Sequence, residues 1–460
     1  MTTVMKFGGT SVADKHGFES VAQIIAERLE DCPIVVVSAM SGTTDALLVS
    51  ARLAEEGRID AAVGALADVF KRHKAVAERI PSNVQRRDVA AYIDEAAADI
   101  ARLLRRIREE LQNRRALRDS LLAYGEMLSS SLLAGVLRER GVVAQHVDAR
   151  QCIFTDDEHG SASPSMPETY LQTQTVLGPL IESGVVPVLG GFIGATSEGV
   201  TTTLGRGGSD YTAALIGAAL GAQEIQIWSD VTGVLTADPR VFPKAQTIRR
   251  LSYGEAAELA YFGAKVLHPK TIQPAIEGSI QVRICNSRAP EEPGTIVCAQ
   301  TETSPRTIKA IAHKVGVTTV QITSARMLGA YGFLRALFEV FERHRTVVDV
   351  VTTSEVSVSL SLDDATALPE IVAELQQLGT VRVEKGRAII CVVGEGLRGT
   401  PGIAARVFTT ISDINVTLIS QGASSINLTF AIEEERVNEA VSRLHEAFFS
   451  QGSVKVRAAN

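Results

Sequence analysis

Cysteine is scarce in this chain, and the five present, Cys32, Cys152, Cys285, Cys298 and Cys391, are scattered and odd in number, with no C-x-x-C pair. That excludes a disulfide-stapled secreted domain and a cysteine zinc site, and it fits reduced thiols in a cytoplasmic protein. Positive charge is also in short supply: 46 Lys and Arg stand against 53 Asp and Glu, a net charge of −7. Without a basic face to neutralise phosphates, nucleic acid is a poor candidate partner. The arginines near Leu103–Arg108 and Asn113–Arg115 alternate with acids and apolar residues at helical spacing, and read as a solvated helix face. No apolar run is read as approaching the roughly 18 residues of a membrane helix. Met1-Thr2-Thr3 leads straight into a strand, so no signal sequence is expected. Two nucleotide signatures are missing as well: no Gly-Lys-Ser/Thr closes a Walker loop, and no G-x-G-x-x-G follows a strand with an acid about 20 residues on.

Two glycine-rich turns are present. In Leu204-Gly205-Arg206-Gly207-Gly208-Ser209-Asp210, three glycines lead into an apolar run with helical spacing, and Ser209 stands where an N-cap is expected. Such a turn presents backbone amides and can cradle a phosphate. Arg206 adds a planar, two-pronged cation, and Asp210 an acid in the first helical turn. At the start of the chain, the strand Val4-Met5-Lys6-Phe7 runs into Gly8-Gly9-Thr10-Ser11, again pairing a cation with bare amides. Two such cradles in one chain favour a nucleotide.

Lys6-Phe7-Gly8-Gly9-Thr10-Ser11, Thr202–Asp210 and Phe262-Gly263-Ala264-Lys265-Val266-Leu267-His268-Pro269 resemble, in order and spacing, the signature set of the aspartate kinases, and most closely the monofunctional, lysine-inhibited class. The resemblance extends to the C-terminus. It implies transfer of the γ-phosphoryl group of ATP, carried with Mg2+, to the β-carboxylate of L-aspartate, the first step towards lysine, threonine and methionine. By resemblance, Lys6, Asp210 and Lys265 are catalytic. Lys6, Gly8, Gly9, Gly207, Gly208, Ser229, Asp230, Asp238, Arg240 and Lys265 bind ATP, the glycines supplying amides. Ser38, Thr44, Glu126, Phe192, Arg206, Ser209 and Asp210 bind aspartate, with Glu126 on its ammonium and Arg206 on its α-carboxylate. No protein-fixed metal is expected. His268 reads as a helix-terminal structural residue. Leu235 departs from the family, many of whose members carry an aromatic residue there. The fused homoserine dehydrogenase of some relatives is not expected here. The alternatives are another carboxylate kinase of the same fold, of the glutamate kinase type, and a non-catalytic amino-acid sensor.

At 460 residues, two or three domains are expected. The fold class is α/β: a mostly parallel, three-layer sheet with helices on both faces, followed by two small ferredoxin-like modules. Val4–Phe7 and Pro33–Ser38 are short buried strands separated by a helix over His16–Leu29, which is β-α-β punctuation. Residues 46–140 are almost entirely helical and read for the most part as a covering layer, from which Tyr124–Ser129, with Glu126 after a glycine, stands out. Strand signals return at Val142–Val147 and Val185–Leu189, with a hairpin around Thr196–Gly199 and a strand at Glu224–Trp228. The polar stretch Phe154–Gly160 reads as a flexible loop rather than a metal site. Ser252–Leu267 reads as a helix, and Asn286–Arg306 as a linker.

Beyond it a β-α-β-β-α series repeats. The first copy has strand Val317–Ile322, helix Gly332–Arg343, strands Val347–Val351 and Val356–Leu362, and helix Thr366–Leu378. The second has strand Ala388–Val393, helix Gly402–Ile411, strands Val416–Ser420 and Ile426–Ile432, and helix Val437–Phe448. The series resembles a pair of ACT modules, giving a catalytic domain over 1–290, a linker over 291–310, and modules over 311–386 and 387–460. Met327, Phe333, Leu334, Val348, Asp349, Ser354, Glu355 and Val356 match the lysine-binding positions of the class. Unpaired sheet edges favour a homodimer through the first module, perhaps assembling further.

Overall fold

The computed structural model describes residues 2–80, 82–263, 267, 269–299 and 307–450. They divide into two compact units: one of 1–234, 249–253 and 266–301, the other of 235–248, 254–265 and 302–460.

The strands of the first unit are β1 (Thr3–Phe7), β2 (Pro33–Val37), β3 (Ala144–Val147), β4 (Val186–Gly190), β5 (Ile193–Ala195), β6 (Thr201–Thr203), β7 (Glu224–Ser229), β8 (Arg250–Ser252), β9 (Gln281–Asn286) and β10 (Thr295–Cys298). Eight form one sheet in the order β3-β4-β2-β1-β7-β9-β10-β8, while β5 and β6 pair separately as a hairpin. Every neighbouring pair in the large sheet is parallel except β9 with β10. The Pro-Ile-Val-Val-Val of β2 is buried at every position, as expected of a parallel strand covered on both faces. Phe7 stacks on Trp228 with ring centroids 5.7 Å apart, and both join Met5, Phe18, Val35 and Leu132 in the core.

The helix Arg114–Glu139 corrects two expectations. It is long and apolar enough, by length and composition alone, to cross a membrane, yet most of its apolar stretch is buried inside the unit. It is apolar around most of its circumference, which is the pattern of a core helix rather than a covering one. A further difference lies at β10, which falls within the stretch read as a linker. Thr295 and Val297 point inward, Ile296 and Cys298 are half-buried, and the strand pairs with both β9 and β8.

In the second unit, β11 (Ala310–Thr323), β12 (Val351–Thr353), β13 (Ser357–Leu362), β14 (Thr380–Val393), β15 (Leu418–Gln421) and β16 (Asn427–Glu433) form a single antiparallel sheet. Its order is β12-β13-β11-β14-β16-β15. Amphipathic helices Phe333–Arg343, Leu368–Leu375, Ile403–Thr410 and Val437–Phe449 cover it, over two apolar cores. The two repeats therefore share one sheet instead of building two, because β11 and β14 are each 14 residues long and pair along their length. The register shifts between Lys314 and Val317, where one repeat gives way to the other. The strand expected from Val347 begins only at Val351. The helix expected over Ser252–Leu267 runs from Tyr253 to Tyr261. Its Glu255 is wholly buried and pairs with Lys309 at 2.8 Å, which compensates both charges.

Candidate active site

Adjacent parallel strands β4, β2, β1 and β7 end side by side at Gly190, Val37, Phe7 and Ser229, and the carboxyl ends of such strands are where open α/β sheets bind ligands. Lys6 is the penultimate residue of β1, in register with Val36 and Ile227. Just beyond it the Gly8 amide donates to the Trp228 carbonyl at 3.0 Å, tying the first glycine turn to β7. The Gly8 amide is thus already committed, as is that of Gly208, which donates to Gly205 O at 3.0 Å. Both amides are engaged within the fold, Gly8 across to β7 and Gly208 in closing its own turn, contrary to the expectation from sequence.

The second glycine turn also differs from its expected capping. Gly207, with φ of 76°, is the N-cap, and the helix Gly208–Leu220 begins before Ser209. A left-handed cap needs no hydroxyl acceptor and favours glycine. The consequence is that Ser209 and Asp210 lie in the first turn, where backbone amides lack intrahelical acceptors. Asp210 Oδ1 sits 2.6 Å from Lys6 Nζ, an ion pair that joins the two glycine turns.

These groups line a cleft of about 560 Å³ together with Ser38, Thr44, Glu126, Phe192 and Arg206. All seven residues read as aspartate-binding are thus brought to one cleft. Glu126 comes from the core helix Arg114–Glu139 and is 4% exposed. Its Oε1 accepts from the Ala39 amide at 3.2 Å, while Oε2 is buried with no hydrogen-bond partner among the described residues. Burial pushes the Glu126 carboxyl up to about 8, against the weaker opposing pull of the Ala39 hydrogen bond and the Lys6 charge. The close fit depends on Gly191, where any Cβ would meet Ser209 Cβ at 2.6 Å. Phe192 itself holds φ of 69°, a strained conformation for a side-chain-bearing residue. The Thr212 hydroxyl accepts from its amide at 3.0 Å, and its carbonyl accepts from Leu204 N at 2.9 Å.

The residues read as nucleotide-binding are less completely gathered. Gly9, Ser229 and Asp230 stand at the ends of β1 and β7, outside the lining of the cleft. Ser229 O accepts from both the amide and the hydroxyl of Ser287, at 2.8 and 2.9 Å. Asp238 and Arg240 belong to the second unit and pair with each other at 2.6 Å, which holds the Asp238 carboxyl below its usual range. Lys265 and His268 lie outside the described residues.

Sequence reading missed Arg118, Asp119, Gly160 and Thr203, all of which line the cleft. Asp119 lies seven residues before Glu126 on the same helix, so the two share a face, and that spacing was the available signal. The stretch Phe154–Gly160 is also not the free loop expected. Thr155 N donates to Ala195 O at 2.9 Å, and His159 Nδ1 and Gly160 N donate to Asp119 Oδ2 at 2.9 and 3.0 Å.

In the second unit, Met327, Phe333 and Val348 pack against the apolar core, and Leu334 is exposed at the start of its helix. Ser324 N donates to Val356 O at 2.8 Å, and Ser354 Oγ accepts from Ser357 N at 3.2 Å. Asp349 accepts a hydrogen bond from the Tyr261 hydroxyl through Oδ1, and its Oδ2 is buried without a partner among the described residues.

The chain matches the amino acid kinase family over residues 1–286 and an ACT domain over 390–448. It is 38% identical to the lysine-sensitive aspartokinase 3 of Escherichia coli, covering 97% of this chain and 99% of that one. The chain belongs to the aspartokinases. Among solved aspartokinases it is similar to E. coli aspartokinase III in complex with aspartate and ADP, with a TM-score of 0.82 at 38% identity over 97% of this chain and 99% of that one. The same enzyme in complex with lysine and aspartate gives a TM-score of 0.81 at the same identity and coverage. Aspartate kinase activity follows from membership of this family.

Proposed function

We propose that the cleft binds L-aspartate and that the enzyme transfers the γ-phosphoryl group of ATP to its β-carboxylate, giving 4-phospho-L-aspartate and ADP. One observation carries this reading: the buried Glu126 carboxylate, with one oxygen unpartnered, shares a cleft with Arg206 and the Lys6–Asp210 pair. An amino dicarboxylic acid satisfies all three. Its ammonium supplies the missing partner of Glu126, its α-carboxylate matches the fork of Arg206, and its β-carboxylate is left facing Lys6.

The attacking group is already an anion at neutral pH, so no general base is required. A carboxylate oxygen forms a bond to the γ-phosphorus as the bond to the β,γ-bridging oxygen breaks, and ADP leaves with that oxygen. The protein's work is to align two anions and neutralise them. Lys6 brings a cation to the meeting point, and Asp210 fixes where that cation stands. The first-turn amides of Ser209 and Asp210 add fixed partial positive charge.

Magnesium enters with the nucleotide. Among the described residues there is no group of three or more His, Cys, Asp or Glu side chains that could hold a metal. Asp210 offers a single carboxylate at the cleft, which suits an ion that keeps its waters and binds chiefly to phosphates. When bound, the ion neutralises charge on those phosphates.

We further propose residues 1–290 as catalytic, with lysine acting as a feedback effector in the second unit at Met327, Phe333, Leu334, Val348, Asp349, Ser354, Glu355 and Val356. The half-satisfied Asp349 carboxylate is suited to an ammonium group. A homodimer through the first ACT module is supported by the exposed apolar side chains of Leu328, Tyr331, Leu334 and Phe338. The test is ADP formation from Mg-ATP with aspartate or glutamate, with and without millimolar lysine. Aspartate-dependent turnover suppressed by lysine is expected. Turnover with glutamate alone would overturn the substrate, and turnover indifferent to lysine would overturn the effector.

A further inference from the structure

We infer that Asp119 is a positioning residue for the substrate clamp, setting where Arg206 stands without touching the substrate. The inference rests on the aspartate-binding reading of the cleft.

The Asp119 side chain is 2% exposed, and both of its oxygens are occupied. Oδ1 accepts from the Thr203 hydroxyl at 2.8 Å. Oδ2 accepts from Thr203 N at 3.2 Å, Gly160 N at 3.0 Å and His159 Nδ1 at 2.9 Å. One carboxylate thus gathers four donors from two separate segments. A buried carboxylate with four donors already on it is engaged within the fold, which argues for holding rather than reacting.

What it holds leads to Arg206. Thr203 is the last residue of β6, and Arg206 follows three residues later across Gly205, whose φ is 76°. Gly160, the other segment Asp119 grips, packs against that glycine: a Cβ on Gly205 would stand 3.2 Å from Gly160 O. The two segments are also tied to each other, since Ala162 N donates to Thr203 O at 2.9 Å. The turn carrying Arg206 is therefore fixed at its root by Thr203 and along its side by Gly160, and both anchor points refer back to Asp119.

Asp119 and Glu126 share one face of the Arg114–Glu139 helix, and both line the cleft. In this arrangement a single rigid helix sets the separation between the groups that receive the ammonium and the α-carboxylate of the substrate. Glu126 does so directly, and Arg206 does so through Asp119. A small displacement of a binding group far exceeds what tight recognition tolerates, so loss of the anchor should fall on aspartate affinity.

The experiment is steady-state kinetics of Asp119→Asn, His159→Ala and Thr203→Val beside the wild type, with both substrates varied and thermal unfolding recorded. For Asp119→Asn the aspartate KM is expected to rise at least tenfold. The ATP KM should stay within about twofold and kcat at saturating aspartate within about threefold. His159→Ala and Thr203→Val, which each remove one donor, should raise the aspartate KM by smaller factors, and His159→Gln should recover part of that loss. A purely structural role would lower the unfolding temperature and shift both KM values together. An unchanged aspartate KM in Asp119→Asn, or equal rises for both substrates, overturns the inference. Should Asp119→Asn not fold, the same split in Thr203→Val and His159→Ala decides. A wild type that forms no ADP with aspartate would bring down the substrate reading itself, a result separable from normal wild-type turnover with indifferent variants.

Discussion

Lys6 Nζ stands 2.6 Å from Asp210 Oδ1, so the cation at the end of the first strand is held by the first turn of a helix two hundred residues further on. Neither side chain is more than 17% exposed. A lysine tethered in this way loses little further freedom when a phosphate arrives, and preorganisation of that kind is where electrostatic catalysis gains most.

Lys6→Ala should therefore lower kcat by about 100-fold or more, with the circular dichroism spectrum unchanged. Turnover near that of the wild type would remove Lys6 from the catalytic machinery.

On the proposed role of Glu126, aspartate binding should depend on pH in a defined direction. Burial lifts its carboxyl to about 8, and only the ionised form attracts an ammonium group. The aspartate KM of the wild type should fall as pH is raised from 7 to 9. In Glu126→Gln that slope should vanish and KM should be higher by about 100-fold. A wild-type KM flat across this range would contradict the assigned partner.

The same residue has the opposite effect on folding. Its carboxyl is raised in the folded state relative to the ordinary 4.5, so the folded chain binds the proton more tightly than the unfolded one. The associated stability is complete below about 4.5 and is lost as pH rises through about 8. At pH 9, Glu126→Gln should unfold at a higher temperature than the wild type. Equal melting temperatures at that pH would show that the carboxylate is relieved in some other way.

His73 works in the acid range. It is fully buried, its Nδ1 donates to Val69 O at 2.7 Å, and burial pushes the imidazole down to about 4. The unfolded chain then takes up a proton at higher pH than the folded one. Stability from this group is present above about 6.5 and is lost as pH falls towards 4. The loss is on the order of 3 kcal/mol when complete. Denaturation midpoints followed from pH 7 to 4 should fall more steeply for the wild type than for His73→Gln.

Lys309 and Glu255 form a buried pair in the second unit, and Glu255 also accepts from the Glu395 amide at 2.9 Å. Lys309→Met strands the carboxylate and should destabilise by about 3–5 kcal/mol. Adding Glu255→Gln should recover part of the loss. A Lys309→Met protein as stable as its parent would mean that the pair is dispensable.

Much of this molecule could be read from the chain, and the reason is physical. Short, fully apolar β-branched runs such as Pro33–Val37 are almost obliged to be buried parallel strands, and the turns that follow them carry the ligand chemistry. Lys6, Arg206 and Asp210, which line one cleft, could be singled out because each sits in a glycine-rich local pattern, whereas Glu126 stood out through the family resemblance. Asp119 could not be, since it earns its place through donors at Gly160 and Thr203 that only the fold brings near. The capping of the second glycine turn was misread for a related reason. A glycine with positive φ can start a helix with no side chain at all, and Ser209 drew attention from Gly207. The shared sheet of the second unit was hidden too, because repeat counting sees two modules and cannot see that β11 and β14 run through both.

That shared sheet bears on how the second half of the chain can be divided. The boundary between repeats at 386 and 387 falls in the middle of β14. A protease nick or a gene truncation at that point would give each fragment only part of the strand: the first would expose the backbone edge of β11 that the later half of β14 had covered, and the second would expose the edge of β14 that β11 had covered. The two repeats consequently form a single structural plate. Module swaps between relatives should succeed only when both halves travel together.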